Sequence, residues 1–219
     1  MTSQNVAPTR VGKVVEVDHP LVRHKLTLLR RVETDTAQFR SLVEEIANLI
    51  TYEATKDLET EAIEIQTPVT KMAGYEVSGK KIAVVPILRA GLGMVDGVLR
   101  MVPVARIGHI GLYRDEETLE AISYYEKFPV DMVDRDVLLL DPMLATGGSV
   151  TVAVDAVKKA GSQHIKLLAI LAAPEGIARL QADHPDVDVY VAKIDERLDE
   201  NGYIVPGLGD AGDRLFGTK

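Results

Sequence analysis

Asp141, Thr146 and Ser149 surround two adjacent glycines in Asp141-Pro142-Met143-Leu144-Ala145-Thr146-Gly147-Gly148-Ser149, and that combination could hold a phosphate beside a sugar. The hydroxyls of Thr146 and Ser149 are donors, and Gly147 and Gly148 let the main chain approach an anion closely. The Asp141 carboxylate could accept hydrogen bonds from sugar hydroxyls or help hold a hydrated Mg²⁺. Arg89 follows the apolar run 81–88, and Arg114 follows the run 105–113; a planar guanidinium in either place suits phosphate oxygens. A second glycine group, Gly207-Leu208-Gly209-Asp210-Ala211-Gly212, satisfies the dinucleotide pattern G-x-G-x-x-G literally. That pattern needs a βαβ unit and an acid about 20 residues on, and seven residues follow Gly212, so no dinucleotide site is expected. His19 and His24 sit five apart, on different faces of a helix, and read as structural rather than as a metal pair.

The elements that position these residues can be read from hydrophobic spacing. The run 137–140 is unbroken and apolar, as in a parallel strand covered on both faces. Beyond the glycines, Val150, Ala153, Val154 and Val157 recur at helical spacing. The turn therefore lies at a helix N-terminus, where unpaired N–H groups and the helix dipole favour an anion. An ordinary strand–turn–helix would read alike, and no lysine follows Gly148 to make a nucleotide P-loop. The strand at 81–88 delivers Arg89 to a carboxyl end, where α/β sheets bind ligands. Residues 122–128 read as a strand returning from Arg114, forming either a lid over the crevice or a solvated hairpin.

The remaining chain reads as alternating strands and helices. Residues 1–11 form a loose polar tail, followed from Val14 by a short strand and a helix carrying Arg23, Lys25, Arg30 and Arg31. Thr34 is placed to cap a second helix with the stripe Phe39, Leu42, Val43, Ile46, Leu49 and Ile50. A strand is expected over 62–69 and a turn over 75–79. Strands at 165–172 and 187–192 flank a helix from Pro174 to about 182. The tail 201–219 is irregular, anchored by Tyr203, Leu208, Leu215 and Phe216, and reads as a hood over a flat ligand. The order predicts an α/β fold with a mainly parallel twisted sheet flanked by helices, and no boundary divides residues 1–219.

Composition narrows the class further. The 219 residues are 46% hydrophobic and 26% charged, which suits one large globular domain. A net charge of −8 argues against a general nucleic-acid or membrane surface. Absence of cysteine removes thiolate metal sites and cysteine nucleophiles. The longest apolar run, 167–173, is far below the roughly 20 residues a membrane span needs. With no apolar stretch in the first ten residues, a cytoplasmic protein is expected.

Four segments in order, His-Pro-Leu-Val-Arg-His-Lys-Leu at 19–26, Pro-Ile-Leu-Arg-Ala-Gly at 86–91, the loop 141–149 and the tail 201–219, resemble the uracil phosphoribosyltransferase branch of the type I phosphoribosyltransferases. The resemblance implies that family's fold with a small hood from the two chain ends. It also implies transfer of the phosphoribosyl group of 5-phosphoribosyl 1-diphosphate to N1 of uracil, giving UMP and diphosphate in pyrimidine salvage. On this resemblance Arg89, Arg114, Asp141 and Asp210 are the catalytic candidates, and residues 141–149 with Arg89, Arg114 and Asp210 hold the ribosyl diphosphate. Uracil would meet Ile204, Gly209, Asp210 and Ala211. Pro142 stands where most relatives carry a second acid, so Mg²⁺ is expected to arrive on the substrate's diphosphate rather than on protein ligands. The family further suggests a homodimer or larger assembly and a GTP activator. A purine or orotate enzyme would keep the central loop but lack the tail. An RNA-binding regulator of pyrimidine genes with this fold should carry a basic face, against which the net charge of −8 argues.

Overall fold

Strands β4 (Lys81–Leu88) and β8 (Arg135–Leu140) lie side by side in parallel at the centre of the fold. Their side chains alternate between two cores. Ile82, Val84, Leu138 and Leu140 face one side, while Ala83, Val85, Val137 and Leu139 face the other. The computed structural model describes residues 11–114 and 121–218, with Arg114 as main chain only. Before β4 come β1 (Val14–Glu16), α1 (Pro20–Arg30), α2 (Thr36–Ala54), β2 (Thr60–Gln66) and β3 (Lys71–Val77). Between β4 and β8 lie α3 (Leu92–Met101), β5 (Arg106–Ile107), β6 (His109–Arg114) and β7 (Ala121–Lys127). After β8 follow β9 (Met143–Leu144), α4 (Gly148–Lys159), β10 (His164–Ala172), α5 (Pro174–Asp183) and β11 (Asp188–Ile194). The chain closes with β12 (Arg197–Leu198), β13 (Ile204–Val205) and α6 (Ala211–Phe216).

The main sheet runs β1-β11-β10-β8-β4-β6-β7, and only the β6–β7 pair is antiparallel. Helices α1, α2, α3 and α6 cover one face, and α4 and α5 cover the other. The stripe of α2 is buried as its spacing predicts, with Phe39, Val43, Ile46 and Ile50 all fully covered. From β4 the chain crosses through α3 to β6, whereas from β8 it crosses through α4 to β10 in the opposite direction. The carboxyl ends of β4 and β8 therefore frame a topological switch point, where α/β sheets open a crevice.

The structure departs from the sequence reading in four places. Asp35, not Thr34, caps α2, accepting from the Gln38 N–H at 2.8 Å, while the Thr34 hydroxyl donates to the Leu28 carbonyl at 2.6 Å. Residues 75–77 belong to β3, which pairs in register with β2 from Thr60↔Val77 to Gln66↔Lys71, so the expected turn shrinks to the three residues 78–80. The expected strand over 105–113 is broken at Gly108 into β5 and β6. The tail is less irregular than its glycines suggest: Asp210 caps α6 and β12 pairs with β13. The expectations for residues 1–10, for the polar stretch 115–120 and for Lys219 lie outside the described residues. Among the described residues no helix is long and apolar enough to cross a membrane.

Candidate active site

The crevice is built first from the loop that follows β8. Leu140 is its last buried strand residue, and Asp141 follows with its Oδ1 accepting the Met143 N–H at 3.1 Å. Burial pushes the Asp141 carboxyl up to about 7, and the Met143 N–H pulls the other way. Met143 and Leu144 then pair with Leu171 and Ala172, which staples the loop to β10. Gly147 begins α4 at φ +80, a conformation that only glycine adopts at little cost. A Cβ there would meet the Gly176 carbonyl at 3.0 Å and Arg179 at 3.3 Å, so the turn lies tight against α5. No side chain caps the opening N–H groups of α4, beside Thr146 and Ser149. Among the described residues neither hydroxyl has a hydrogen-bond partner, so both are available to an anion.

The second wall is the loop after β4. Gly91 allows it to close on the neighbouring strand, since a Cβ there would fall 2.4 Å from the Leu140 carbonyl and 2.8 Å from Ile87. The Leu88–Arg89 peptide is cis. Arg89 is exposed, and its guanidinium carbon lies 5.5 Å from the centroid of the Phe216 ring. The side chain of Arg114, the other candidate arginine, lies outside the described residues.

The third wall is the tail. Gly202 approaches the cradle so closely that a Cβ would lie 3.6 Å from the Thr146 methyl group. Gly212 stands across from Ala90 at 3.9 Å, and a Cβ on Gly93 would strike Leu215 at 2.7 Å. Ile204 and Ala211 are buried, whereas Gly209 (φ +80) and Asp210 are exposed. The Asp210 Oδ1 accepts the Asp213 N–H at 2.8 Å as the cap of α6. A cleft of ≈ 640 Å³ opens on the tail, lined by Arg30, Tyr203, Gly207, Gly209, Asp210 and Arg214 among others, rather than by 141–149.

Two anchors escaped the sequence reading. Arg30 and Asp195 form a forked ion pair that also clasps Gly207. Arg214 lies 4.4 Å from the Phe39 ring centroid and donates to the carbonyls of Leu29 (2.8 Å), Arg31 (2.6 Å) and Leu208 (2.9 Å). Partners more than 160 residues apart leave no local signature, although Arg30 was visible as one of the basic residues of α1. His19 is structural, its Nδ1 accepting the Leu21 N–H at 3.1 Å to cap α1. Among the described residues no group of three or more His, Asp or Glu could hold a metal ion.

Comparison with known proteins decides the family. The family model described as Uracil phosphoribosyltransferase matches residues 15–218. The chain belongs to the uracil phosphoribosyltransferase family. A uracil phosphoribosyltransferase of Exiguobacterium sibiricum is 60% identical over 95% of this chain and 100% of that protein. The Geobacillus kaustophilus uracil phosphoribosyltransferase is 56% identical over the same shares. A solved structure from Aquifex aeolicus superposes with a TM-score of 0.89 at 40% identity, covering 94% of this chain and 99% of that one. A hypoxanthine phosphoribosyltransferase from Staphylococcus aureus, at 15% identity and a TM-score of 0.50 over 83% of this chain and 84% of its own, shares the fold alone. The tail that the family model includes lies beside both loops, Gly202 next to Thr146 and Gly212 next to Ala90. The fold class expected from the sequence is therefore the one found.

Proposed function

We propose that this member of the uracil phosphoribosyltransferase family transfers the phosphoribosyl group of 5-phosphoribosyl 1-diphosphate to N1 of uracil. The observation that carries the reading is the convergence of three segments on one switch-point crevice: the uncapped α4 N-terminus with Thr146 and Ser149, the Arg89 loop, and the 202–212 tail. In this reading the bond from C1 to the diphosphate oxygen breaks, its electron pair leaving with the diphosphate. The C1–N1 bond forms as uracil's N1 proton passes to the departing diphosphate. The transition state is close to a ribosyl cation, so the protein works mainly by orientation, leaving-group stabilisation and exclusion of water.

Residues 141–149 receive the 5-phosphate and ribose in this account, with Asp141 accepting from the ribose hydroxyls. Arg89 and Arg114 hold the diphosphate. Ile204, Gly209 and Ala211 present main-chain groups to uracil, and Asp210 faces the ribosyl diphosphate side. A lone carboxyl pushed up to about 7 does not make a resident Mg²⁺ site, so Mg²⁺ is treated as part of the substrate, where it offsets the diphosphate charge. The chain 1–219 acts as one domain with 201–219 as its hood. Cytoplasmic placement, expected from the sequence, belongs to the same reading, as do a homo-oligomeric assembly and GTP activation, which rest on family resemblance alone. Incubation with uracil, 5-phosphoribosyl 1-diphosphate and Mg²⁺ tests the proposal: UMP and diphosphate should appear in equal amounts, and their absence would refute it.

A further inference from the structure

The segment assigned to the base is held by atoms outside it. Gly207 lies between Ile204 and the 209–211 turn at φ +64, with so little room that a Cβ would fall 2.0 Å from the Ile204 carbonyl oxygen. Its N–H donates to Asp195 Oδ2 at 2.9 Å, and its carbonyl accepts from Arg30 Nη1 at 2.7 Å. The same guanidinium closes on both Asp195 oxygens, Nη1 to Oδ2 at 2.8 Å and Nη2 to Oδ1 at 2.6 Å. Both main-chain polar groups of one glycine residue are thus gripped by one ion pair. The main-chain N–H of Asp195 donates to the Ala172 carbonyl at 2.9 Å, and Ala172 is the β10 partner of Leu144 in the cradle loop. A short path of strand pairing and hydrogen bonds therefore runs from the phosphate cradle through Ala172 and Asp195 to Gly207.

We propose that Asp195, with Arg30 as its counter-ion, is the positioning residue that fixes the base-reading turn relative to the phosphate cradle, and so sets affinity for the pyrimidine and its discrimination. The inference rests on the transfer reading above. Displacement at C1 requires N1 of the base in line with the leaving oxygen, so the spacing between the two subsites is part of the chemistry. Gly207 and Gly209 both sit at positive φ, and a turn with such backbone freedom holds one shape only if tied from outside. The Asp195 side chain is 3% exposed, which places it out of a ligand's reach and makes its influence indirect. The rival account is that the pair merely staples the fold, as buried ion pairs often do without affecting function. Arg214 holds Leu208 independently, which keeps the tail attached when Asp195 is changed.

The test uses full-length wild type, Asp195→Asn and Arg30→Lys with uracil or cytosine, 5-phosphoribosyl 1-diphosphate and Mg²⁺. Asp195→Asn should raise KM for uracil about tenfold or more and cut the uracil-over-cytosine preference about tenfold, with kcat and KM for the ribosyl diphosphate held within about threefold. Arg30→Lys, which keeps the charge but loses the fork, should fall between it and wild type. Hydrogen–deuterium exchange should quicken at 204–211 and stay unchanged in α2. This second readout, together with Arg30→Lys, carries the test if Asp195→Asn fails to fold. A lower melting temperature with unchanged uracil KM and unchanged exchange at 204–211 overturns the proposal, as does an equal loss of turnover on both bases with every KM unmoved. Wild type that makes no UMP overturns the transfer reading itself and this inference with it, a result distinct from either failure in the variants.

Discussion

The Arg89 guanidinium lies over the Phe216 ring, 5.5 Å from its centroid, so the arginine of the β4 loop leans on the tail's last helix. The contact ties the diphosphate candidate to the C-terminal tail. Arg89→Lys keeps the charge but loses the planar fork, and turnover should fall about 10²-fold with the melting temperature unchanged. Phe216→Leu removes only the platform, a contact worth about 0.5–1 kcal/mol, and should raise KM for the ribosyl diphosphate two- to fivefold. Steady-state kinetics and thermal melting check both. Near-wild-type turnover in Arg89→Lys would rule out forked holding of the diphosphate.

Thr146→Val keeps the side-chain shape and removes a donor from the cradle. Ribosyl diphosphate binding should weaken by about 1.5–3 kcal/mol, the range for a hydrogen bond to a charged group. Titration calorimetry reads this directly. An unchanged Kd removes Thr146 from the phosphate site.

Asp141 gives the site a pH dependence of definite sign. Its carboxyl is raised from 3.8 to about 7 by burial, so below pH 7 the folded protein holds it protonated and unable to accept fully from ribose hydroxyls. kcat/KM for the ribosyl diphosphate should therefore rise as pH increases through about 7, and Asp141→Asn should be lower and flat across that window. Stability runs the other way. A raised carboxyl contributes stability that is full below 3.8 and lost as pH climbs through about 7, so Asp141→Asn should gain melting temperature relative to wild type above pH 7. A profile identical in wild type and Asp141→Asn contradicts the assignment.

Much of this arrangement was legible in the residues, for physical reasons. The runs 82–88 and 137–140 are apolar on both alternating sets because each strand is covered on both faces. The strand–turn–helix carrying Asp141, Thr146, Gly147 and Ser149 was legible because the glycine pair stands between an apolar run and a helical stripe. Of the β2–β3 hairpin only β2 was read, as the strand expected over 62–69, whereas β3 escaped because most of its residues stay exposed and no burial pattern marks it. Helix α6 is six residues long and follows a run of glycines, too short to show a periodicity. Thr34 and Asp35 are both good caps, and only the Thr34 bond to Leu28 shows which one is engaged elsewhere. The Arg30–Asp195–Gly207 clasp spans 165 residues between the partners of its ion pair and could not be read locally.

Arg135 and Asp131 set a second pH arm, away from the crevice. Arg135, the first residue of β8, is 2% exposed, pairs with both Asp131 oxygens and donates to the Ile82 carbonyl of β4 at 3.1 Å. The guanidinium holds the Asp131 carboxyl down to about 2. That stability is present above 3.8 and lost as pH falls through about 2. Asp131→Asn should lower the melting temperature at pH 7, and the gap to wild type should close as pH drops from 3.8 toward 2. A gap that persists unchanged at pH 2 contradicts the pairing.

In the proposed transfer the tail reads uracil through main-chain atoms. Uracil offers O4 as an acceptor and N3–H as a donor, whereas cytosine offers an amino donor and a bare N3 acceptor. N–H groups near Gly209 and Ala211 with the Ile204 carbonyl would oppose cytosine donor to donor and acceptor to acceptor, a mismatch worth roughly 10⁴-fold or more. The most direct measurement is a competition holding equal uracil and cytosine with 5-phosphoribosyl 1-diphosphate and Mg²⁺, run on wild type and Ile204→Ala, with UMP and CMP separated and counted. Both proteins should make UMP and leave CMP below about one part in 10⁴. No UMP from wild type, or comparable CMP from Ile204→Ala, would contradict the account.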